Sequence, residues 1–290
     1  MDEERYLQMP AEWGGIVPSE VFVREAIRIV EEGEKQGLIL RVMGGVGVKL
    51  HSPESEDLMK RLGRLGPSAQ EFTDLDFMAY RRQRDKMKLL FERLGYHKRR
   101  ATLSSAASER QIYFHPNGWF FVDVFYDNLR VANHPLDFRG RLELDKPMVS
   151  PTDLLLEKLQ IVNFSEKDLK DTLALLNAHR VEECDETEAL SATYIASLLC
   201  KDWGFWYTVT ININGVKDRV STMNVLTKDE RQRIVSRIEK ILDHVQKKPK
   251  TNRWKLRSII GARKTWYKPV ETTETVGEFH MWRLKEEARK

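Results

Sequence analysis

The stretch Phe72-Thr73-Asp74-Leu75-Asp76-Phe77-Met78 places two carboxylates one residue apart in an otherwise apolar run. Side chains of a β-strand alternate between faces, so Asp74 and Asp76 share one face and the apolar residues occupy the other. The two acids then stand about 7 Å apart, and a divalent cation between them would relieve their repulsion. A solvated edge strand shows the same alternation, so both interpretations are open on this stretch alone.

A glycine turn precedes the acids in the chain. Residues 38–43 predict a buried strand, which runs into Gly44-Gly45-Val46-Gly47 and then into a short helix over 46–51. Glycines let backbone N–H groups approach an anion, and the start of a helix adds partial positive charge. The pattern suits a triphosphate, although close packing of a turn against a sheet also requires glycine.

A third acid lies in a later apolar strand. Residues 110–114 and 119–126 predict two strands joined by the hairpin signal His115-Pro116-Asn117-Gly118, and Asp123 is the only charged residue of the second strand. An unpaired ionised carboxylate is costly to bury. Asp123 is therefore protonated, paired, or directed into a cleft with a metal, and the two upstream acids favour the cleft.

Hydrophobic periodicity predicts the remaining elements of the first half of the chain. We expect helices from Ser19 and over 56–65 and 82–94, and a strand over 96–103. Together with the strands above they predict a mixed sheet flanked by helices.

The next region is predicted to be helical. Ser150-Pro151 begins one helix with a cap and a proline in its first turn, and Lys158 lies at the edge of that helix's apolar stripe. Lys158 either extends past the core to solvent or reaches a phosphate. Ser165 and Asp168 have the spacing of a capping box, which requires no catalytic role, and a further helix is expected over 188–200.

Beyond residue 200 we expect a hairpin, with strands over 205–213 and 216–220 around Asn214-Gly215, and then a long helix over 227–245. Residues 246–270 contain no Asp or Glu and interleave basic with aromatic side chains, a pattern that fits phosphate contacts and base stacking on RNA. The predicted nucleic-acid contacts are Lys247, Lys248, Arg253, Trp254, Lys255, Arg257, Arg263 and Lys264. A solvated basic surface is the alternative.

Composition excludes several classes of protein. The 290 residues are 41% hydrophobic and 32% charged, sufficient for one large or two ordinary domains. No apolar run approaches the length of a membrane span, and we expect a cytoplasmic protein. Cys184 and Cys200 lie in no Cys/His cluster, so the sequence indicates neither a zinc site nor a disulfide framework.

The order strand, Gly-Gly, Asp-x-Asp and a later strand Asp resembles the nucleotidyltransferase superfamily. The stretches Asp153-Leu154-Leu155-Leu156-Glu157-Lys158-Leu159 and Lys167-Asp168-Leu169-Lys170-Asp171 are similar to downstream motifs of its AbiEii-type (abortive-infection toxin) branch. The resemblance covers residues 38–176. Gly45 stands where many members have Ser, and Lys167 where Arg is usual.

The resemblance implies a nucleotidyltransferase-like α/β (α+β) fold. We expect a catalytic domain over 1–148 and a mainly helical domain over 149–290 that includes the small hairpin and the basic residues within 247–268. The resemblance also implies that Asp74 and Asp76 bind two Mg²⁺ ions, with Mn²⁺ as an alternative, and that Asp123 is a ligand and the base. Gly44 and Gly45 would hold the triphosphate of an NTP, and Lys158 and Asp168 would contact the nucleotide.

The expected reaction moves an NMP from an NTP to an acceptor hydroxyl, in a toxin-like setting with a possible antitoxin partner. The basic segment, residues 247–268, favours RNA, such as a tRNA end, as the acceptor. A protein or a small molecule such as an antibiotic is the alternative acceptor. A non-enzymatic RNA-binding or regulatory protein on the same fold is the alternative of another class.

Overall fold

The computed structural model describes residues 9–63, 71–99, 110–131 and 134–268. The helices of these residues are α1 Ser19–Glu34, α2 Gly44–His51, α3 Glu56–Arg61, α4 Arg84–Arg93, α5 Pro151–Leu159, α6 Glu166–Ala178, α7 Ala192–Leu199, α8 Trp203–Thr222, α9 Lys228–Lys247 and α10 Asn252–Ile260. The strands are β1 Leu40–Met43, β2 Asp74–Ala79, β3 His97–Lys98, β4 Arg110–Phe114, β5 Phe121–Tyr126, β6 Asn128–Val131, β7 His134–Asp137, β8 Arg180–Glu182 and β9 Ala189–Ser191.

The main sheet has five strands in the order β1-β2-β5-β4-β3. β2 and β5 run parallel, and the other neighbouring pairs are antiparallel. The predicted mixed sheet with a helical C-terminal region is therefore confirmed. Two small two-stranded sheets, β6-β7 and β8-β9, were not anticipated because their strands have only three or four residues.

The chain divides into two compact units, and the division falls within α2. The described residues of the first unit are 9–46, 71–99 and 110–128, and those of the second are 47–63, 129–131 and 134–268. The domain boundary near residue 148 stays a prediction. None of the described helices combines the length and apolarity needed to cross a membrane.

The core of the first unit lies between the sheet and the helices α1 and α4. Phe22 of α1 and Phe91 of α4 are fully buried, and Phe91 stacks on Tyr113 of β4 with ring centroids 4.2 Å apart. Burying an aromatic side chain of this size stabilises a fold by about 1.5–3 kcal/mol. This packing covers one face of the sheet and holds its strands in register.

The second unit is built around α5, whose residues are all buried. Ser150 caps the helix by accepting a hydrogen bond from the Asp153 backbone N–H, as predicted. The Asp153 carboxylate is itself buried, and the Arg141 Nε donates to it over 2.8 Å. Because a lone buried charge would be unstable, this ion pair is what allows an acid in the first turn of a buried helix.

The hairpin predicted over 205–220 is wrong, because these residues lie within the 20-residue helix α8. The Asp202 side chain caps the helix by accepting from the Phe205 N–H. The buried residues Phe205, Val209, Ile213, Val216 and Val220 recur every three or four positions, which is the helical period. Burial of this stripe outweighs the β-branched composition and the turn propensity of Asn214-Gly215.

Other boundaries also differ from expectation. α2 begins at Gly44 rather than at residue 46, and the predicted helix over 188–200 is strand β9 followed by α7. β3 contains two residues instead of eight, and residues 100–103 of that prediction lie outside the described residues. The predicted strand over 110–114 matches β4.

Candidate active site

The three acids singled out by the sequence come together on the main sheet. Asp76 of β2 is the register partner of Asp123 of β5, and Asp74 lies two residues before Asp76. Register partners on neighbouring strands project from the same face, and so do residues two apart on one strand. One carboxylate oxygen from each acid lies within 4.8 Å of the others. The two strands thus form a single acidic cluster.

The glycine turn lies against this cluster. β1 is antiparallel to β2 and its last residue, Met43, is the register partner of Asp76, so the turn at Gly44 begins beside that acid. Gly44 has a φ of 66°, a conformation that favours glycine, and a Cβ there would overlap the Asp76 carboxylate. Only glycine therefore permits the carboxylate and the backbone to approach this closely.

Asp123 is the buried member of the cluster. Its exposure is 5%, its Oδ2 lies 3.3 Å from the Arg110 Nη1, and its Oδ1 has no hydrogen-bond partner among the described residues. Burial raises the pKa of Asp123 to about 6; the Asp74 charge acts in the same direction, and the Arg110 charge opposes it. A cation at the cluster would supply the interaction that the buried Oδ1 lacks.

The ligand types fit a hard divalent cation. Mg²⁺ and Mn²⁺ prefer oxygen ligands, and Mg²⁺ is usually held by one or two carboxylates together with substrate phosphates and water. Asp74 and Asp76 are partly exposed while Asp123 is buried, so the cluster has a solvent-accessible side. The cluster can therefore hold a cation and still accept a substrate.

Lys158 and Asp168, the predicted nucleotide contacts, lie in the second unit. The Lys158 side chain is buried, with its Nζ 3.4 Å from the Asp171 Oδ2 and 3.5 Å from the Glu157 Oε1. Asp168 forms the capping box of α6, because its carboxylate accepts from the Ser165 N–H and hydroxyl. These contacts account for both residues within the fold, and a nucleotide role for either stays a prediction.

The basic segment contains α10, and its side chains are of two kinds: some pack against α8 and others are exposed. Trp254 packs against Trp206 with ring centroids 5.0 Å apart, and the Arg257 guanidinium lies 4.7 Å from the centre of the Trp203 ring. These side chains attach the segment to α8. The exposed members are Lys247, Arg253, Lys255, Arg263 and Lys264, and Lys248 is half-buried.

Sequence reasoning missed Arg110, which lies beside Asp123. The available signal was the hairpin itself: Ile112 is the register partner of Asp123, so Arg110, two residues before, projects from the same face. The side chain lies close enough for an ion pair with Asp123. The Arg110 guanidinium therefore partly compensates the negative charge of the buried Asp123 carboxylate.

No family model matches the chain. No curated protein matches it either. Among solved structures, it is similar to the solution structure of the antibiotic-resistance factor ANT(2'')-Ia, with 12% sequence identity and a TM-score of 0.34. The match covers 55% of this chain and 84% of the other. At this score the likeness adds nothing to what the geometry of the acidic cluster supports.

Proposed function

We propose that this protein is a magnesium-dependent nucleotidyltransferase of the AbiEii-like type, which moves an NMP from an NTP to an acceptor hydroxyl and releases pyrophosphate. The observation that carries the proposal is the convergence of Asp74, Asp76 and Asp123 beside the turn at Gly44. Three carboxylates whose oxygens lie within 4.8 Å of one another repel. A bound metal ion would relieve that repulsion and could hold a triphosphate.

In this proposal all three acids hold the metal. Bound Mg²⁺ would neutralise charge on the triphosphate and on the leaving pyrophosphate. Asp74 and Asp76 keep a fixed spacing because they belong to one strand, and β5 fixes Asp123 against Asp76. The protein thereby orients its ligands before substrate binds, which lowers the entropy cost of reaching the reactive geometry.

Asp123 is proposed to act as the base as well. The acceptor hydroxyl attacks the α-phosphorus, the bond to pyrophosphate breaks, and the hydroxyl proton passes to a carboxylate oxygen of Asp123. The Asp123 Oδ1 has no hydrogen-bond partner among the described residues, so this oxygen could take the proton. Arg110 would keep the carboxylate in place through their contact at 3.3 Å.

The turn at Gly44 and Gly45 is proposed to bind the triphosphate. α2 begins at Gly44, so the N-terminal end of the helix lies in this turn. Backbone N–H groups at a helix N-terminus can bind phosphate oxygens, and the partial positive charge there favours negative charge. Glycine at 44 keeps side-chain atoms out of the space between Asp76 and the turn.

RNA, such as a tRNA end, is the acceptor we propose. Its support is the group of exposed cations in and before α10, including Arg253 and Lys255, in a segment without Asp or Glu. Cationic side chains of this kind bind the phosphate backbone. An antitoxin partner belongs to the same proposal through the AbiEii resemblance alone.

The decisive experiment incubates the protein with each labelled NTP, Mg²⁺ and separate pools of tRNA, protein and small-molecule acceptors. We expect transfer to tRNA. Asp74→Asn, Asp76→Asn and Asp123→Asn should each lower transfer by at least about 100-fold, since even partners of metal ligands are worth 10–100-fold. Asp85→Asn is the matched control, because Asp85 is an exposed acid of the same unit.

Transfer that survives in all three variants would overturn the catalytic assignment. Transfer to protein or to a small molecule, but not to RNA, would retain the chemistry and replace the acceptor. If the wild-type protein releases no pyrophosphate but binds RNA in a salt-sensitive manner, the non-enzymatic alternative is correct.

A further inference from the structure

A second group of ligand-type side chains lies in the second unit. It consists of His51 at the end of α2, His179 between α6 and β8, and Glu188 immediately before β9. One potential ligand atom from each lies within 4.8 Å of the others. Both histidines are buried, with 1% and 2% exposure. This group contains two imidazoles, unlike the all-carboxylate cluster on the main sheet.

Both nitrogens of His51 face oxygen atoms. Its Nε2 lies 2.8 Å from the Val149 carbonyl oxygen, and its Nδ1 lies 3.1 Å and 3.3 Å from the two carboxylate oxygens of Glu188. A neutral imidazole has one N–H, which the Val149 carbonyl oxygen accepts. The Nδ1 lone pair then points toward a carboxylate, an arrangement that requires a proton or a metal ion at Nδ1.

His179 approaches the same carboxylate. Its Nδ1 lies 3.1 Å from the Glu188 carbonyl oxygen and 3.3 Å from the Glu188 Oε2. Its Nε2 is buried and has no hydrogen-bond partner among the residues that the structure describes. Two imidazoles thus converge on one carboxylate.

The separations fit a tetrahedral metal site. Zn²⁺ binds imidazole nitrogen and carboxylate oxygen at about 2.0–2.2 Å, which places ligand atoms about 3.3–3.5 Å apart around a tetrahedron. The His51 Nδ1 lies 3.1 Å and 3.3 Å from the two Glu188 carboxylate oxygens, and one ring nitrogen of His179 lies within 4.8 Å of the ligand atoms of both residues. The Val149 carbonyl oxygen also accepts from the far nitrogen of His51, as the outer partners of metal-bound histidines do.

Space for an exchangeable ligand is also present. The three residues line a cavity of about 420 Å³, together with Leu50, Pro53, Glu54, Ala178, Arg180 and Arg237. Glu188 has a φ of 57°, a left-handed conformation that is uncommon outside glycine. This backbone conformation brings the Glu188 carbonyl and carboxylate oxygens to the same ring. The cavity would admit the ion and a water molecule.

We propose that His51, a ring nitrogen of His179, and Glu188 bind one divalent ion of the zinc class, with water in the remaining position. Imidazole ligands select Zn²⁺ over Mg²⁺, so this site differs from the acidic cluster in the metal that it takes. The ion would link the end of α2 to two residues that flank β8 in the chain. The proposal does not depend on nucleotidyl transfer.

The test uses the full chain, stripped with a chelator and then dialysed against Zn²⁺ in the presence of millimolar Mg²⁺. We expect one tightly bound Zn²⁺ per chain, and a rise in the thermal unfolding midpoint that depends on Zn²⁺ concentration. His51→Gln, His179→Gln and Glu188→Gln should each weaken Zn²⁺ binding by tenfold or more, whereas Asp123→Asn should leave it unchanged.

His244→Gln is the matched control. The His244 Nδ1 lies 2.8 Å from the Lys240 carbonyl oxygen and its Nε2 lies 2.9 Å from the Glu183 Oε1, so His244 has the same two kinds of contact as His51. The groups that could hold a metal, as found among the described residues, do not include His244. Zn²⁺ binding should be the same as in the wild-type protein.

X-ray absorption at the zinc edge of the loaded wild-type protein tests the ligands without relying on variants that must fold. We expect four light-atom ligands with the multiple-scattering signature of two imidazoles. No Zn²⁺ binding by the wild-type chain, a ligand set without imidazole, or equal loss of binding in His244→Gln and His51→Gln would each overturn the proposal.

Discussion

Asp76 and Asp123 are register partners across a parallel strand pair, and their carboxylates project from the same face of the main sheet. One of them is partly exposed and the other is buried. Burial raises the pKa of the Asp123 carboxyl above its ordinary value. This shift leads to a test of the site that requires no substrate.

Asp123→Asn should stabilise the metal-free protein at alkaline pH. The pKa of Asp123 is about 6 in the folded chain against an ordinary value of 3.8, so the folded state binds more protons and its stability falls as pH rises from about 4 to 6. Above pH 6 the penalty is on the order of 3 kcal/mol. We expect the variant to raise the free energy of unfolding by about 1–3 kcal/mol at pH 8.

Urea unfolding from pH 4 to pH 8 would measure this effect, and the difference between variant and wild type should disappear toward pH 4. The exposed Asp85→Asn should stay within about 0.5 kcal/mol of wild type at every pH. A destabilised Asp123→Asn at pH 8 would mean that the contact with Arg110 outweighs burial.

Gly44→Ala should destabilise the protein and abolish transfer. Alanine at a positive φ costs about 1–2 kcal/mol, and its Cβ would displace the Asp76 carboxylate. Gly215→Ala is the matched control, because a Cβ at that position of α8 meets nothing within 4 Å. We expect it to stabilise the protein by about 0.5–1 kcal/mol and to leave transfer unchanged. Chemical denaturation and the transfer assay measure the two quantities, and an active Gly44→Ala would contradict the site.

Lys158→Met separates a structural role from a nucleotide contact. Removing the lysine takes away the cation that lies 3.4 Å from the buried Asp171 carboxylate, which we expect to cost about 3–5 kcal/mol of unfolding free energy. Lys167→Met, at an exposed position of the same region, should cost less than about 0.5 kcal/mol. If Lys158→Met is instead as stable as wild type but shows a raised KM for NTP, then Lys158 contacts the nucleotide.

Arg257→Ala should affect stability, whereas Arg253→Ala should affect RNA binding. Arg257 donates to the Gly261 and Lys264 carbonyl oxygens over 2.7 Å and lies on the Trp203 ring, so its loss should destabilise the protein by about 1–3 kcal/mol. Arg253 is exposed, so its loss should leave stability unchanged while weakening RNA binding and reducing the salt slope by about 1. RNA affinities measured over a salt series would check this, and equal affinities would exclude Arg253 from the interface.

Patterns among neighbouring residues in the sequence correctly predicted the features that depend only on local backbone geometry. The alternation around Asp74 and Asp76 placed both acids on one face, and the hairpin at His115-Pro116-Asn117-Gly118 predicted β4 and β5. The error at α8 arose because Asn214-Gly215 is a strong turn signal whose effect was overridden by burial of a helical stripe.

The group of two histidines and one glutamate could not be predicted in this way. His51 and Glu188 are 137 residues apart, so no periodicity or short spacing relates them. The expectation of no zinc site rested on local Cys/His spacing, which carries no information about side chains that only tertiary packing brings together.

The acid-bearing strands β2 and β5 are interior strands of the five-stranded sheet, so each has ladder hydrogen bonds on both sides. Amide hydrogens in such strands exchange with solvent only when large parts of a domain open. The backbone under the three carboxylates should therefore be among the slowest-exchanging regions of the first unit. Adjustment to different acceptors would have to come from the surrounding side chains and loops, because the strands themselves cannot shift without unpairing the sheet.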